Sequence, residues 1–67
     1  MEGETIRTIR LAMKHGKLPR EFKPRQVNEA LGIDWAGVFL PKHREGNPGR
    51  QTEFFVRIGR GLYRLNN

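Results

Sequence analysis

The chain has 67 residues, 13 of them Lys or Arg and 7 of them Asp or Glu, so its formal net charge is +6 and an anionic partner is expected. The absence of cysteine excludes a disulfide framework and thiolate zinc sites. A folded chain this short buries only about 60% of the surface that its unfolded form exposes. No apolar run approaches the ~20 residues of a membrane span, and no signal-peptide pattern precedes the first predicted helix. We therefore expect a cytoplasmic protein with no membrane partner, and the nucleoid is one location that its charge would suit.

A first helix is predicted from Glu4 to the C-capping residue Gly16, after which Pro19 prevents continuation. Its inner face is an apolar stripe with helical spacing, formed by Ile6, Ile9, Ala12 and Met13. Three cations lie off this stripe: Arg7, Arg10 and Lys14. Leu11 also lies off the stripe, so we expect this helix to be covered on more than one side.

The connector before Pro24 is predicted to be extended, because proline disfavours the α conformation in the preceding residue. It would supply a brief first strand with Phe22 pointing into the core. Pro24 suits the first turn of a second helix, which ends at Gly32. The inner face of this helix carries Val27, Ala30 and Leu31, and its outer face carries Arg25, Gln26, Asn28 and Glu29.

A third helix is predicted after a short turn, with Asp34 as its N-cap. Its inner face is predicted from the spacing of Trp35, Val38 and Phe39. Pro41 would cost ~3 kcal/mol in a helix interior, so this helix is short and either ends near Leu40 or takes one further turn. Two helices joined by a tight turn containing glycine form a helix-turn-helix.

Residues 45–50 (EGNPGR) are turn-forming throughout. The alternation after residue 51 predicts a strand with Phe54, Val56 and Ile58 on one face and Phe55 and Arg57 on the other. The Gly-Arg-Gly corner at residues 59–61 reverses the chain, and both glycines are expected to need positive φ or a close approach. The return strand, residues 62–65, turns Tyr63 and Leu65 inward.

Residues 4–66 are thus predicted to form a single α+β domain, a winged helix-turn-helix of three helices followed by a C-terminal β-hairpin. The run FFVRIGRGLYRL (residues 54–65) resembles the hairpin of the HARE-HTH family, whose members end in a similar Phe-x-x-Val/Ile-Gly-x-Gly-x-Tyr/Phe-x-Leu run. The run VNEALGIDW (residues 27–35) resembles the helix-turn-helix part of such prokaryotic domains. The resemblance implies a winged-helix fold and an association with DNA, through transcription regulation or restriction-modification. The chain departs from the family at residues 40–49, where LPKHREGNPG replaces the second half of a longer, proline-free helix.

The basic loop that follows the third helix is the sharpest candidate site. From Pro41 onward the chain has six basic residues and two acidic ones. Cations there would neutralise phosphates, and Arg and Asn can also read base edges in the major groove. The candidates are Lys42, His43, Arg44, Asn47 and Arg50. The alternative is an ordinary solvated loop between a helix and a strand.

The hairpin is the predicted wing, with Arg60 at its tip and Arg57 on a flanking strand. These side chains could reach a minor groove or the phosphate backbone, the alternative being ordinary solvation of an exposed hairpin. Arg25 and Gln26, in the first turn of the second helix, could bring a cation and backbone N–H groups to a phosphate. For these two residues a purely structural role is the alternative.

We therefore expect a non-enzymatic domain, monomeric, that binds double-stranded DNA without a cofactor or metal. His15 and His43 are isolated from other ligand types, and no catalytic constellation is found. The main alternative is a protein-docking winged helix with little DNA affinity, anchored by exposed Phe55 and Trp35. Trp35 is otherwise expected to be core or a partly buried lid. Binding of single-stranded RNA is a third interpretation, disfavoured by the small number of aromatic residues that could stack on bases.

Overall fold

The computed structural model of the chain describes residues 2–66, and within this range there are three helices and three strands. In chain order the elements are α1 (Glu2–Lys14), β1 (Glu21–Phe22), α2 (Pro24–Leu31), α3 (Ala36–Lys42), β2 (Phe55–Gly59) and β3 (Leu62–Leu65). The strands form an antiparallel sheet in the order β1–β3–β2. The predicted α+β class is confirmed, as are the C-terminal hairpin and the brief strand at Phe22. None of the helices in residues 2–66 has the length and apolar character that crossing a membrane would require.

One apolar core is shared by the helices and the sheet. The buried apolar side chains are Ile9, Ala12, Leu18, Phe22, Val27, Ala36, Phe39, Leu40, Phe55, Tyr63 and Leu65. Phe55 connects the layers, since its ring meets Phe22 of β1 edge to face at 6.1 Å between centroids and Phe39 of α3 at 5.8 Å. The prediction of Phe55 as an exposed anchor is therefore wrong.

The register of the sheet explains why Phe55 points inward. Phe55 lies opposite Leu65, and Tyr63 lies opposite both Phe22 and Arg57. Residues directly opposite each other in an antiparallel pair project from the same face, and the buried members of these pairs, Phe22, Phe55, Tyr63 and Leu65, cover the core. Arg57 projects from the same face but is exposed. The inward orientation of Tyr63 and Leu65 is confirmed by their burial.

Two apolar side chains that were expected to be covered are exposed. Leu11 on α1 is 47% exposed, so the prediction that α1 is covered on more than one side is wrong. Val38 on α3 is 72% exposed and does not belong to the inner face, which is formed by Ala36, Phe39 and Leu40. Trp35 is 42% exposed and packs edge to face on Phe39 at 5.4 Å, which fits a partly buried lid.

The start of α3 is stabilised from α2. The backbone N–H of Ala36 donates to Oδ1 of Asn28 at 2.9 Å, and Trp35 occupies the N-cap position. The predictions of Asp34 as the N-cap and of Asn28 as an outer-face residue are therefore wrong. A side chain from the preceding helix satisfies a free N–H of the first turn, which is the task of an N-cap.

Helix α3 continues through Pro41 and ends at Lys42, past Leu40, as in the second of the two predicted alternatives. Its length of seven residues confirms the prediction of a short helix. Proline removes one N–H donor. At the end of the helix, the N–H of the C-cap residue His43 donates to the carbonyl oxygens of Phe39 and Leu40 at 3.1 and 3.2 Å. The helix therefore accommodates Pro41 in its last turn.

Candidate nucleic-acid interface

The turn between α2 and α3 fixes which side of α3 faces solvent. Gly32 ends α2 with a left-handed φ of 68°, and the N–H of Ile33 donates to the carbonyl oxygen of Asn28 at 3.0 Å. The outer side of α3 then carries Gly37, Val38 and Lys42. Glycine and valine side chains offer no hydrogen bond to a base edge, so this helix is poorly equipped for direct readout of sequence.

The loop between α3 and β2 is organised by the side chain of Asn47, which is 7% exposed. Its amide nitrogen donates to the carbonyl oxygens of Arg44 and Gln51 at 2.9 and 3.0 Å, and its amide oxygen accepts the N–H of Gln51 at 2.8 Å. These bonds occupy the groups that would read a base, so the prediction of Asn47 as a nucleic-acid contact is not supported. Asn47 instead holds the loop that carries the neighbouring cations.

His43 is fully buried, which contradicts its predicted role as a nucleic-acid contact. Its Nδ1–H donates to the carbonyl oxygen of Thr52 at 2.8 Å. The ring lies near those of Phe39 and Phe54, at centroid distances of 4.7 and 5.2 Å. His43 follows Phe39 by four residues, and this helical spacing was the sequence signal that could have assigned it to the inner face.

The loop is attached to the hairpin through a parallel β-bridge between Arg44 and Phe55. The N–H of Phe55 donates to the carbonyl oxygen of His43 at 3.1 Å, and the N–H of Glu45 donates to that of Phe55 at 2.7 Å. The segment that carries Arg44 therefore runs beside β2. The loop is held in place, because its backbone is bonded to the sheet and to Asn47.

A surface groove of about 490 Å³ lies between α3 and this loop. Its apolar lining includes Val38, Pro41 and Pro48, and its charged lining is Lys42 and Arg44. The sequence analysis missed this groove because it assigned Val38 to the core. The spacing of Val38 and Pro41, three residues apart on a helix, was the signal that they share a face.

On the hairpin, Arg57 and Arg60 are both exposed and border one shallow depression. The corner is formed by Arg60 and Gly61, and the φ of 67° at Gly61 confirms the positive φ expected there. The same expectation is wrong for Gly59, which has no positive φ. A Cβ at Gly59 would lie at an ordinary contact distance of 3.9 Å from the Cβ of Leu62, so no close approach demands glycine.

At the start of α2, the predicted phosphate contacts are already engaged by protein groups. Oε1 of Gln26 accepts the N–H of Lys23 at 2.8 Å, and the N–H of Gln26 donates to the carbonyl oxygen of Lys23 at 3.0 Å. Arg25 is exposed, but its Nε lies 3.3 Å from Oε1 of Glu29. The structure therefore gives Gln26 a capping role and leaves Arg25 beside a compensating carboxylate.

The remaining predicted cations have no such compensation. Among the side chains that the structure describes, the ion pair found within 4.0 Å is that of Arg25 and Glu29. Five of the predicted cations, on α3, the loop and the hairpin, are exposed or half-buried and lie outside it, and we call them the loop–hairpin cations: Lys42, Arg44, Arg50, Arg57 and Arg60. Their charge is available to an anionic partner.

Comparison of the chain with protein-family models, with curated proteins and with solved structures gives no match. The resemblance of residues 54–65 to the HARE-HTH hairpin therefore stays a prediction from the sequence.

Proposed function

We propose that the chain is a winged helix-turn-helix domain, without catalytic activity, that binds duplex DNA through its phosphate backbone. The order of elements supports this fold, because α2 and α3 are joined by a short turn and a β-hairpin follows. In this proposal the hairpin is the wing, and α3 with its following loop is the surface laid against the duplex. The observation that carries the proposal is the set of five loop–hairpin cations, none of which has a carboxylate within 4.0 Å among the side chains that the structure describes.

The spacing of these cations suits a phosphate backbone. Bridged strands lie about 4.8 Å apart and a strand rises about 3.3 Å per residue, so Cα of Arg44 and Cα of Arg57 are separated by about 8 Å. Arg60, at the hairpin corner three residues after Arg57, extends the set by at most about 10 Å. A duplex carries one charge per ~1.7 Å of its axis, so several phosphates fall within this span.

Binding by this surface would depend weakly on base sequence. Apart from Lys42, the exposed side chains on the outer side of α3 are short or apolar, and His43 and Asn47 are buried. Arginine and lysine contacts to phosphates fix register and orientation but carry no sequence information. We therefore infer a domain that recognises the duplex as a polyanion of defined shape.

The test is the salt dependence of affinity for a mixed-sequence duplex. If five cations each neutralise one phosphate, log K falls against log[salt] with a slope of about −4.5. The double variant Arg44→Ala/Arg60→Ala loses two contacts and should give a slope of about −2.7.

The matched control is Lys17→Ala/Arg20→Ala, which removes the same charge from exposed positions between α1 and β1. Its slope should equal that of the wild type. The proposal fails if the two double variants flatten the slope equally, because net charge alone would then account for binding, or if the wild type shows no affinity at low salt.

A second candidate function is docking of a protein segment, favoured by Val38, which is 72% exposed at the groove between α3 and the loop. The charged lining of Lys42 and Arg44 suits a segment with carboxylates next to an apolar side chain. A heteronuclear NMR titration with duplex DNA separates the two functions. Chemical-shift changes confined to residues 42–50 and 57–61 support DNA binding, whereas the absence of chemical-shift changes at low salt favours docking.

A further inference from the structure

A second basic surface lies on α1, away from the loop–hairpin cations. Residues 5–20 contain five Lys or Arg and no Asp or Glu, whereas residues 41–67 contain six basic and two acidic residues. The N-terminal segment is therefore the more uniformly cationic of the two. The proposed DNA-binding surface does not include this N-terminal segment.

Helical geometry brings three of these residues onto one side of α1. Arg7, Arg10 and Lys14 occur at i, i+3 and i+7, all are exposed, and we call them the α1 cations. The opposite side of the helix buries Ile9 and Ala12 in the core. The α1 cations extend over about 10 Å of the helix axis, since seven residues separate the first from the last.

These cations stand close together, with Glu4, three residues before Arg7, as a carboxylate at helical spacing. None of them belongs to an ion pair within 4.0 Å among the side chains that the structure describes. Like charges at such spacing destabilise a helix by a few tenths of a kcal/mol per pair. An external anion would remove this repulsion, which points to a ligand rather than to an internal structural role.

The α1 cations, and Lys42 on the outer side of α3, lie on the sides of their helices that point away from the shared core. Helix α2 packs against both α1 and α3, and the inner sides of α1 and α3 contribute to the same core. Their outer sides consequently diverge from that core. The Cα atoms extend over 31 × 26 × 23 Å, so anions bound on the two outer sides would be separated by the body of the domain.

We propose that the α1 cations form a second phosphate-binding face, so that one chain bridges two duplex segments. This inference rests on the proposed function, which supplies the first duplex through the loop–hairpin cations. An anionic membrane is a poorer occupant, because the apolar side of α1 is buried in the core and leaves Leu11, 47% exposed, as the apolar residue among these cations. A phosphate backbone needs no such apolar insertion.

The test is a sandwich assay with the full chain. Protein is bound to an immobilised short duplex, and capture of a second, fluorescent duplex is then measured. The variant Arg7→Gln/Arg10→Gln/Lys14→Gln should keep its affinity for the first duplex within about threefold and capture about tenfold less of the second, because only the contacts of α1 are lost. Glutamine preserves helix propensity at these exposed positions. The charge-preserving variant Arg7→Lys/Arg10→Lys should capture the second duplex as the wild type does.

Several outcomes overturn the inference. Undiminished capture by the glutamine variant would mean that self-association or the loop–hairpin cations bridge the duplexes. Equal loss of first-duplex binding would mean one continuous interface. If the wild type binds the first duplex and captures no second one, this inference fails alone, whereas absence of all duplex binding defeats the proposed function as well. Binding to phosphatidylserine-containing vesicles that depends on the α1 cations, without second-duplex capture, would assign the face to lipid.

Discussion

Replacing Asn47 by alanine tests whether one amide holds the loop between α3 and β2. The side chain makes three hydrogen bonds within the loop, two to Gln51 and one to Arg44, and is 7% exposed. At about 1 kcal/mol for each bond, Asn47→Ala should lower the free energy of unfolding by about 2–3 kcal/mol. The lower value applies if water reaches the freed backbone groups of Gln51, which is itself exposed.

That loss is large for so small a domain. At about 0.05–0.15 kcal/mol per residue, the whole chain has a stability of about 3–10 kcal/mol. Each kcal/mol shifts the melting temperature of a domain of this size by roughly 4–8 °C, so a decrease of about 10–20 °C is expected. Thermal unfolding followed by circular dichroism measures it. Amide hydrogen exchange at Gln51, whose N–H donates to Asn47, should accelerate at the same time.

The matched control is Gln51→Ala. This change keeps the backbone N–H and carbonyl that Asn47 binds and removes an exposed side chain whose amide nitrogen lies 3.4 Å from the carbonyl oxygen of Gly49. It should change the stability by less than about 0.5 kcal/mol. Equal melting temperatures for Asn47→Ala and the wild type, with unchanged exchange at Gln51, would refute the assignment of the loop structure to this amide.

Three further substitutions probe the frame around the candidate interface. His43→Ala removes a fully buried ring and its bond to Thr52, so the unfolding free energy should fall by about 2–4 kcal/mol in chemical denaturation. Asn28→Ala leaves the N–H of Ala36 without its cap and should cost about 1 kcal/mol, whereas Asn28→Asp retains the accepting oxygen and should cost less. Gly37→Ala should stabilise the domain by about 0.5–1 kcal/mol, because a Cβ there meets nothing within 4 Å and the position is helical.

Each of these predictions can be contradicted separately. A His43→Ala protein with wild-type stability would mean that the ring is not part of the core. Equal losses for both Asn28 variants would indicate that the amide nitrogen, rather than the oxygen, matters. A destabilised Gly37→Ala protein would show that the outer side of α3 is less open than the structure indicates.

Features governed by local chain chemistry could be predicted from the sequence. Pro24 begins α2 and Gly32 ends it, because proline fixes φ for a first helical turn and glycine tolerates the left-handed cap. The extended residues before Pro24 form β1, and Gly61 reverses the hairpin with positive φ. In each case the residue restricts its own backbone, so no knowledge of distant partners is required.

Which side chains point into the core depended on partners that lie far away in the sequence. Both faces of β2 carry apolar residues, so alternation could not decide between Phe54 and Phe55, and pairing with Leu65 turned Phe55 inward. For the same reason Val38 is exposed and His43 is buried, the reverse of what was expected. Packing of α3 on the core buries one side of the helix whatever the polarity of its residues.

The sequence by itself determined the element types, most of their boundaries and the excess of positive charge, since these follow from local conformational preferences and composition. Only the tertiary structure decided which polar residues remain available to a partner. His43 joins the end of α3 to Thr52, and Asn47 bonds residues of the loop to one another, while the loop–hairpin cations stay exposed or, for Arg44, half-buried. The physical reason is that a buried polar group must find its hydrogen-bond partners within the fold, and those partners are fixed only once the chain has packed.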